Sequence, residues 1–439
     1  MYITIKSLLS ERAAQENTIT KIEVTERTIT VNLEPKIEAQ YERADTQEPV
    51  SAEYHDSEPL LIQGLGIQGK ALRYRVVSTR LGYVNDAGEL KTFTVSIPGI
   101  RTDLLVTDEV VDKMLYFNVD RNLSLGETVQ MLQDVYGVQT SISALDRWKS
   151  GQAEALPAIG QIIKRLNEKK KITVLHLDEY KATGTKSWEL AIRDEHGRLI
   201  FSIRLKKRDA WHIKAILRWF RILGLEIKVF YVDFWLAYPS AIKAIYPQAD
   251  IQYDFFHVIQ NIHRHLYKSL TAYRKAFKNA KTDQQQAKIR QQLHQKLWKH
   301  RYLLFTNDEN LTDQQRQILD ELLEEHTDTI VEQIVLFRQQ VRVIFNECHS
   351  FTEAVEHLAI LILDGWADLS TNFAKIMTFL QDHIENMLTY LRIPHIQRNS
   401  LSECTVRSLR RIERIRQGFK KHSGRVNHLK LLQWRRYLC

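Results

Sequence analysis

Two aspartates close short apolar runs. Asp178 ends ITVLHLD (172–178) and Asp233 ends EIKVFYVD (226–233). Runs of this length and composition read as buried strands, and open α/β sheets bind ligands beyond the carboxyl ends of their strands. A buried carboxylate without a partner is costly, and a divalent cation is one natural partner. Taken singly, each acid is more readily read as merely ending a strand or capping a helix, and Glu179 is a substitute for Asp178. The third acid is Glu403. In SLSECTVRSLRRIERIRQGF, Val406, Leu409, Ile412, Ile415 and Phe419 form an apolar stripe. On another face Glu403, Arg407, Arg410, Arg411 and Arg414 follow one another at spacings of 4, 3, 1 and 3. A stabilising surface helix intersperses the two signs. One carboxylate leading a row of arginines suits a metal ligand beside phosphate contacts.

The elements that must position these acids follow from pattern. After the strand ending at Asp178, SWELAIRD (187–194) alternates, with Trp188, Leu190 and Ile192 on one face. Asp194-Glu-His-Gly197 supplies a hairpin turn and LIFSIRL (199–205) returns. AWHIKAILRWFRILG has helical spacing and stops at Gly224. The strand ending at Asp233 comes next, and ADIQYD (249–254) reads as a further strand. The expected class is α/β. Residues 258–391 are then almost wholly helical in pattern, a separate lobe whose Leu358, Ile360, Leu361 and Leu363 read as core.

Ahead of the acids, Ala39–Pro59 is acidic, carries two prolines and lacks periodicity, so it reads as a linker. Alternation in ALRYRVV and FTVSI marks a small β-rich piece. Ser124-x-x-Glu127 is a capping box opening a helix that Gly137 ends. A second short helix, SISALDRWKS, follows. Two helices joined by a Gly-containing turn suggest a helix-turn-helix with Ile142–Lys149 as the recognition helix; an ordinary helical hairpin has the same pattern. Ser143, Asp146, Arg147 and Lys149 would face base edges, while Ile142, Leu145 and Trp148 anchor the core.

Charge is distributed unevenly. Residues 1–60 hold 6 basic against 12 acidic side chains, and residues 392–439 hold 13 against 2, so the whole net charge of +9 sits at the far end. Such a concentration attracts a polyanion, nucleic acid being the commonest inside cells, although a solvated basic tail has the same composition. With 44% hydrophobic and 26% charged residues in 439, wholesale disorder is excluded and several domains are affordable. No apolar stretch reaches the length of a membrane span, and no signal-peptide pattern opens the chain. Three widely separated cysteines speak against a disulfide framework or a cysteine zinc site and for a reducing, cytoplasmic setting.

The phrases LHLDEYKATGTKSWELAIRD, KVFYVDFWLAYPSAI, ADIQYDFFHVIQNI and NSLSECTVRSLRRIERIRQGF, in that order, resemble prokaryotic insertion-sequence transposases of the DDE type. They are similar in particular to the subgroup with a long helical insertion between the second aspartate and the glutamate. LWKHRYLLFTNDENLTDQQRQILDELL (297–323) is similar to that insertion, and the resemblance covers roughly 108–430. It implies a ribonuclease H-like catalytic domain in which Asp178, Asp233 and Glu403 are catalytic and hold Mg²⁺ or Mn²⁺, as two ions. Asp254-Phe-Phe-His257 matches a D-x-x-H phrase, with His257 contacting DNA near the cut; alternatively Asp254 caps the following helix and His257 packs. The implied reaction is hydrolysis at the transposon ends, followed by attack of the freed 3′-hydroxyl on target DNA. Partners are double-stranded DNA and a second copy of the chain, as a homodimer or larger assembly, in a nucleoid-associated protein. The sequence departs from the subgroup in one respect: its members often begin with a cysteine-based zinc module, and residues 1–347 hold no cysteine.

The expected layout is an acidic segment and linker (1–60), a small β-rich domain (61–106) and a helix-turn-helix (107–150). The first part of the ribonuclease H-like core (171–257) follows, then the all-α insertion (258–391) and a basic C-terminal helix completing the core (392–439). Two other functions share these features: a domesticated DNA-binding protein that has lost catalysis, and a structure-specific nuclease or resolvase. Three separated acids favour an enzyme over a binder, and a helix-turn-helix favours a transposase over a structure-specific nuclease.

Overall fold

The structure is a computed structural model that describes residues 17–35, 41–42, 49–50, 52–67, 69–95, 97–181, 187–205, 207, 209–279, 284–398, 400, 409–410 and 422–438. The chain divides into two compact units, Met1–Leu166 with Ala182–Thr185 and Ser408–Cys439, and Asn167–Lys181 with Lys186–Arg407.

The first unit is built on strands β1 (Asn17–Val24), β2 (Thr28–Pro35), β3 (Glu53–Ile67), β4 (Lys70–Val84), β5 (Leu90–Thr94), β6 (Ile100–Arg101) and β7 (Val106–Thr107). Their order is β1-β2-β4-β3-β7-β6, with β5 also on β4. Alternating Ile29, Val31, Leu33, Leu72, Tyr74 and Val76 turn one way and, with Ile62, form the core. The sheet begins well before the expected β-rich piece. Residues 53–59, expected as linker, pair antiparallel with β4 from Glu53↔Gly82 onward. Their side chains are exposed, and the ladder is made by main chain, which composition does not report.

Helices α1 (Asp108–Leu115), α2 (Leu125–Tyr136) and α3 (Ile142–Glu154) follow, and a further helix spans Ile159–Lys169. The capping box is formed in both directions: Glu127 N donates to Ser124 Oγ at 3.1 Å and Ser124 N donates to Glu127 Oε2 at 2.8 Å. Gly137 ends α2 at φ 67°, where a Cβ would also meet Ala71 Cβ at 3.0 Å. The C-terminal helix His422–Gln433 packs on α3, with Lys430 Nζ donating to Leu156 O at 3.1 Å. Beyond it Arg435 pairs with Asp112 at 2.6 Å and Asp120 at 2.9 Å. The described end of 392–439, expected beside the acids, thus belongs to the first unit.

The second unit holds a five-stranded sheet of β8 (Val174–Lys181), β9 (Trp188–Asp194), β10 (Leu199–Leu205), β11 (Val229–Val232) and β12 (Asp250–Tyr253). Its order is β10-β9-β8-β11-β12. The first three strands are antiparallel neighbours, whereas β8, β11 and β12 run parallel. Parallel neighbours need crossovers, supplied by α4 (Ala210–Ile222) before β11 and α5 (Ala237–Ile245) before β12. The β9–β10 turn is as expected: Gly197 has φ 74°, and buried Asp194 accepts from His196 N and Arg198 N and pairs with Arg198 at 2.5 Å. β9 is buried on both faces rather than one; Glu189 is enclosed, accepting from Ser202 Oγ at 2.9 Å.

Six longer helices come after β12: α6 (Phe255–Asn279), α7 (Gln284–His300), α8 (Asp313–Glu325), α9 (Ile330–Asn346), α10 (Phe351–Leu363) and α11 (Thr371–Met387). Phe337, Trp366 and Phe373 pack at ring separations of 5.2–6.0 Å in their core. Of the four apolar residues expected as core on α10, Leu358 and Leu361 are buried while Ile360 and Leu363 are exposed. The i, i+3 pair faces inward and the two residues off that stripe do not.

Candidate active site

Strand register brings the acids together. Val174↔Val229, Leu175↔Phe230 and His176↔Tyr231 pair between β8 and β11, and Val229↔Asp250 through Val232↔Tyr253 pair between β11 and β12. Carried a residue or two beyond the ladders, the same offsets align Asp178, Asp233 and Asp254. Asp254 N donates to Val232 O at 3.0 Å, which continues the β11–β12 pattern to this level. Residues in register on parallel neighbours point to the same face, and adjacent strands lie about 4.8 Å apart. Three carboxylates therefore stand in a row across three adjacent strands. Asp233 and Asp254 directly follow β11 and β12, whereas Asp178, expected to end its strand, lies inside β8, which runs on to Lys181 because its other edge stays paired with β9.

Their electrostatics reflect that crowding. The Asp178 carboxyl is pushed up from 3.8 to about 6, chiefly by burial. His257 and the amide of Glu179 pull it down, and the charges of Asp233 and Asp254 push it further up. Asp178, Asp233, Asp254 and His257 thus share one site. Asp233 Oδ1 accepts from Trp235 N at 2.9 Å. Asp254 Oδ1 accepts from Phe256 N at 3.1 Å and from Ser400 N at 3.4 Å. Asp254 therefore turns the chain into α6 as well as standing in the row. His257, on the first turn of α6, is partly buried.

Below the row, on the same face, His176 stacks on Tyr231 at 4.3 Å. Burial, then Arg193, pushes the His176 imidazole down to about 3 and keeps it neutral. The chain returning from the helices is tied here: Tyr231 donates its hydroxyl to Gln397 O, His176 Nδ1 lies 3.1 Å from Ser400 Oγ, and Phe255 N donates to Arg398 O at 3.3 Å. Sequence spacing gives no sign of these anchors, because they depend on register and on a return from more than a hundred residues away. The alternating His176 and Asp178, matched by Tyr231 and Asp233, was the available signal.

Glu403, Arg407, Arg411 and Arg414 lie outside the described residues. Arg410 is described and exposed. In the first unit, Ser143 and Arg147 are exposed on α3, whereas Lys149, expected at a base edge, is buried and Ile142, expected in the core, is 55% exposed. The buried stripe runs Leu145, Trp148, Lys149, Ala153, at spacings that carry Lys149 inward with Trp148. Ile142 is the first residue of the helix and overhangs its end. Among the described residues, Cys348, Glu353 and His357 form a group whose possible ligand atoms lie within 4.8 Å of one another. No described helix is long and apolar enough to cross a membrane.

Seven chains of solved structures are similar to this one. Among them is a chain of the Drosophila P element transposase strand transfer complex, at 12% identity and a TM-score of 0.40, covering 74% of this chain and 91% of that chain. No curated protein matches. The sequence model of a transposase family, DDE_Tnp_ISL3, matches residues 175–423, a span that takes in Asp178, Asp233, Asp254, His257 and Glu403. A match over more than half of its length, running from the first acid past the last, makes this chain a member of the DDE_Tnp_ISL3 transposase family.

Proposed function

We propose that this chain is a catalytically active DDE transposase with a ribonuclease H-like catalytic domain, interrupted by the helical insertion 258–391. It cuts DNA strands at transposon ends and joins them to target DNA. The observation that carries this reading is the register alignment of Asp178 and Asp233 on adjacent parallel strands, with one carboxyl pushed up to about 6. Glu403 completes the set. In sequence it follows Ser400 by three residues, and Ser400 donates to Asp254 and meets His176.

The donor set suits Mg²⁺ or Mn²⁺, as two ions: carboxylate oxygens are hard ligands, and a cation relieves the desolvation and repulsion that disfavour the charge on Asp178. When bound, such ions supply Lewis acidity at a phosphodiester and favour deprotonation of the attacking water or 3′-hydroxyl. The chain's own residues hold and orient. Asp178 and Asp233 present oxygens from adjacent strands, which fixes their separation. Asp254 Oδ1 is engaged by Phe256 N and Ser400 N, so this residue positions α6 and the segment leading to Glu403. His257 lies beside Asp178 and meets the DNA near the cut. Ser143 and Arg147 on α3, in a helix-turn-helix of 107–150, read the transposon ends, and Arg407, Arg410, Arg411 and Arg414 contact phosphates. Holding two ends for joint cutting calls for at least a homodimer.

The test uses the full chain, DNA carrying the element's ends, and Mg²⁺. Asp233→Asn abolishes strand cleavage while end binding is retained. Cleavage at the parent rate in that variant removes Asp233 from the mechanism and with it this reading.

A further inference from the structure

The helix that starts at the acid row carries a charge pattern that the catalytic reading does not use. Over its 25 residues, Phe255–Asn279, α6 contains no aspartate or glutamate. At 100° per residue, His257, Asn261, Arg264, Lys268 and Lys275 fall within about 40° of one line along it. Arg264, Lys268 and Lys275 are exposed. The stripe begins one turn from Asp254 and extends about 27 Å from it, at 1.5 Å per residue. Its near end is also the positive end of the helix dipole.

An aromatic wall stands beside the middle of the stripe. The short helix Arg301–Phe305 lies against α6, and Gln260, His263, Arg264, Tyr267, Lys268, Tyr302 and Phe305 enclose a groove of 570 Å³ with no acid among its described lining residues. Tyr302 is 61% exposed, unusual for a large ring beside a packed wall. Arg301 holds it from behind: the guanidinium lies 4.2 Å over the Tyr302 ring and donates to its hydroxyl at 2.8 Å, and it also covers Trp298 at 4.4 Å. Phe305 and Tyr267 line the groove with ring centroids 6.1 Å apart. His263 is pushed down to about 4 by burial and the Arg338 charge, so it serves here as a neutral ring.

We infer that α6 and Tyr302 form a binding track for a single, unpaired DNA strand leaving the acid row, with phosphates on Arg264, Lys268 and Lys275 and a base stacked on Tyr302. Non-specific single-strand sites combine these two elements, a cationic line that follows the backbone and an aromatic face that accepts any base. A paired duplex offers phosphates to the lysines and arginine but no free base face to Tyr302, which is why the unpaired strand is the fitting occupant. The length of the stripe accommodates about eight nucleotides at 3.4 Å each, fewer if the strand is extended. The inference rests on the proposed function for the origin of the strand, not for the binding itself.

Fluorescence anisotropy with the full chain and no added metal tests it, comparing end DNA with an eight-nucleotide single-stranded overhang against the blunt duplex. The overhang is expected to tighten binding about tenfold or more. Tyr302→Ala is expected to remove that gain and leave blunt-duplex binding unchanged, while Tyr302→Phe keeps it, because stacking needs the ring and not the hydroxyl. The double variant Arg264→Gln, Lys268→Gln is expected to lower the salt dependence of overhang binding by about 1.4 in log–log slope, two phosphates at about 0.7 each for a single strand. Equal loss on blunt and overhang DNA, loss in Tyr302→Phe as large as in Tyr302→Ala, or no loss in any variant overturns the inference. Asp233→Asn separates the two readings: it is expected to leave the overhang gain intact, and cleavage surviving in it sinks the catalytic proposal without touching the strand track.

Discussion

Replacing Asp178 with asparagine is expected to stabilise the metal-free protein at neutral pH. Folding holds this carboxyl at about 6, above its ordinary 3.8, mainly because burial disfavours its charge and Asp233 and Asp254 add repulsion. Below 3.8 the group is protonated in folded and unfolded chains alike, and its full contribution to stability is present. Between 3.8 and about 6 the unfolded chain ionises while the folded one stays protonated, so stability is lost as pH rises and the loss is complete above about 6. At about 1.36 kcal/mol per pH unit the ceiling is about 3 kcal/mol, and a partly exposed, interacting carboxyl realises about 1–3 kcal/mol. Asparagine has the same shape and no charge to bury. At pH 7.5 in chelator, Asp178→Asn should therefore unfold at higher temperature, by about 2–4 °C per kcal/mol for a unit of this size. At pH 3.5 the difference should vanish, and added Mg²⁺ should narrow it at pH 7.5 by stabilising only the parent. The measurement is thermal unfolding of both proteins at the two pH values. A variant less stable than the parent at pH 7.5 without metal refutes the crowding of Asp178.

Asp194→Ala takes the buried carboxylate away from the Arg198 guanidinium and from the amides of the β9–β10 turn. A loss of about 3–5 kcal/mol is expected in denaturant titration, and a loss below 1 shows that the turn does not depend on the pair. Ser124→Ala breaks a capping box made in both directions and should cost about 1 kcal/mol in the unfolding of the first unit, read by urea denaturation; no change excludes the cap as a contributor. For end DNA, Arg147→Gln should lower the salt dependence of binding by about 0.9 in log–log slope, the counterion release that accompanies one neutralised phosphate. The buried Lys149→Met should leave that slope unchanged, and a drop there instead would return Lys149 to the DNA-facing surface.

The sheet strands of the second unit were legible because burial leaves a direct mark: apart from His176, LHLD and FYVD are apolar until their last residue, and the Asp194–Gly197 turn is written in its own residue types. Capping at Ser124 and the stop at Gly137 were equally local. What sequence did not carry is partnership. Residues 53–59 look like linker because their side chains face solvent, while their main chain pairs with β4. Lys149 looks like a DNA contact by type, yet its spacing from Leu145 and Trp148 sends it inward. The alignment of Asp178 with Asp233 and Asp254 depends on which strands are neighbours and in what register, neither of which any one strand encodes.

The chain returning from the insertion is tied to the sheet at several points, and the one nearest the start of α6 makes a sharp prediction. Phe255 N donates to Arg398 O at 3.3 Å, so the first residue of the helical lobe is bonded to the segment by which the chain returns. Chain-closure entropy grows only slowly with length, about 0.6 kcal/mol per doubling, so such a lobe adds little strain to the sheet it interrupts. The closure is braced by Arg398, whose guanidinium lies 4.5 Å over the Phe255 ring and donates to Phe345 O at 3.0 Å. Arg398→Ala removes these two and its hydrogen bond to Asn346 Oδ1, worth about 1–3 kcal/mol together at a partly buried site, and leaves the main-chain bond in place. Arg398 also lies five residues before Glu403. If the closure is what delivers Glu403 to the row, the variant should lose Mg²⁺-dependent cleavage by tenfold or more while end binding stays within about twofold of the parent, and Arg398→Lys should recover only part of it, lacking the planar face that stacks on Phe255. Cleavage unchanged despite a measured loss of stability shows that Glu403 is held by something other than this closure.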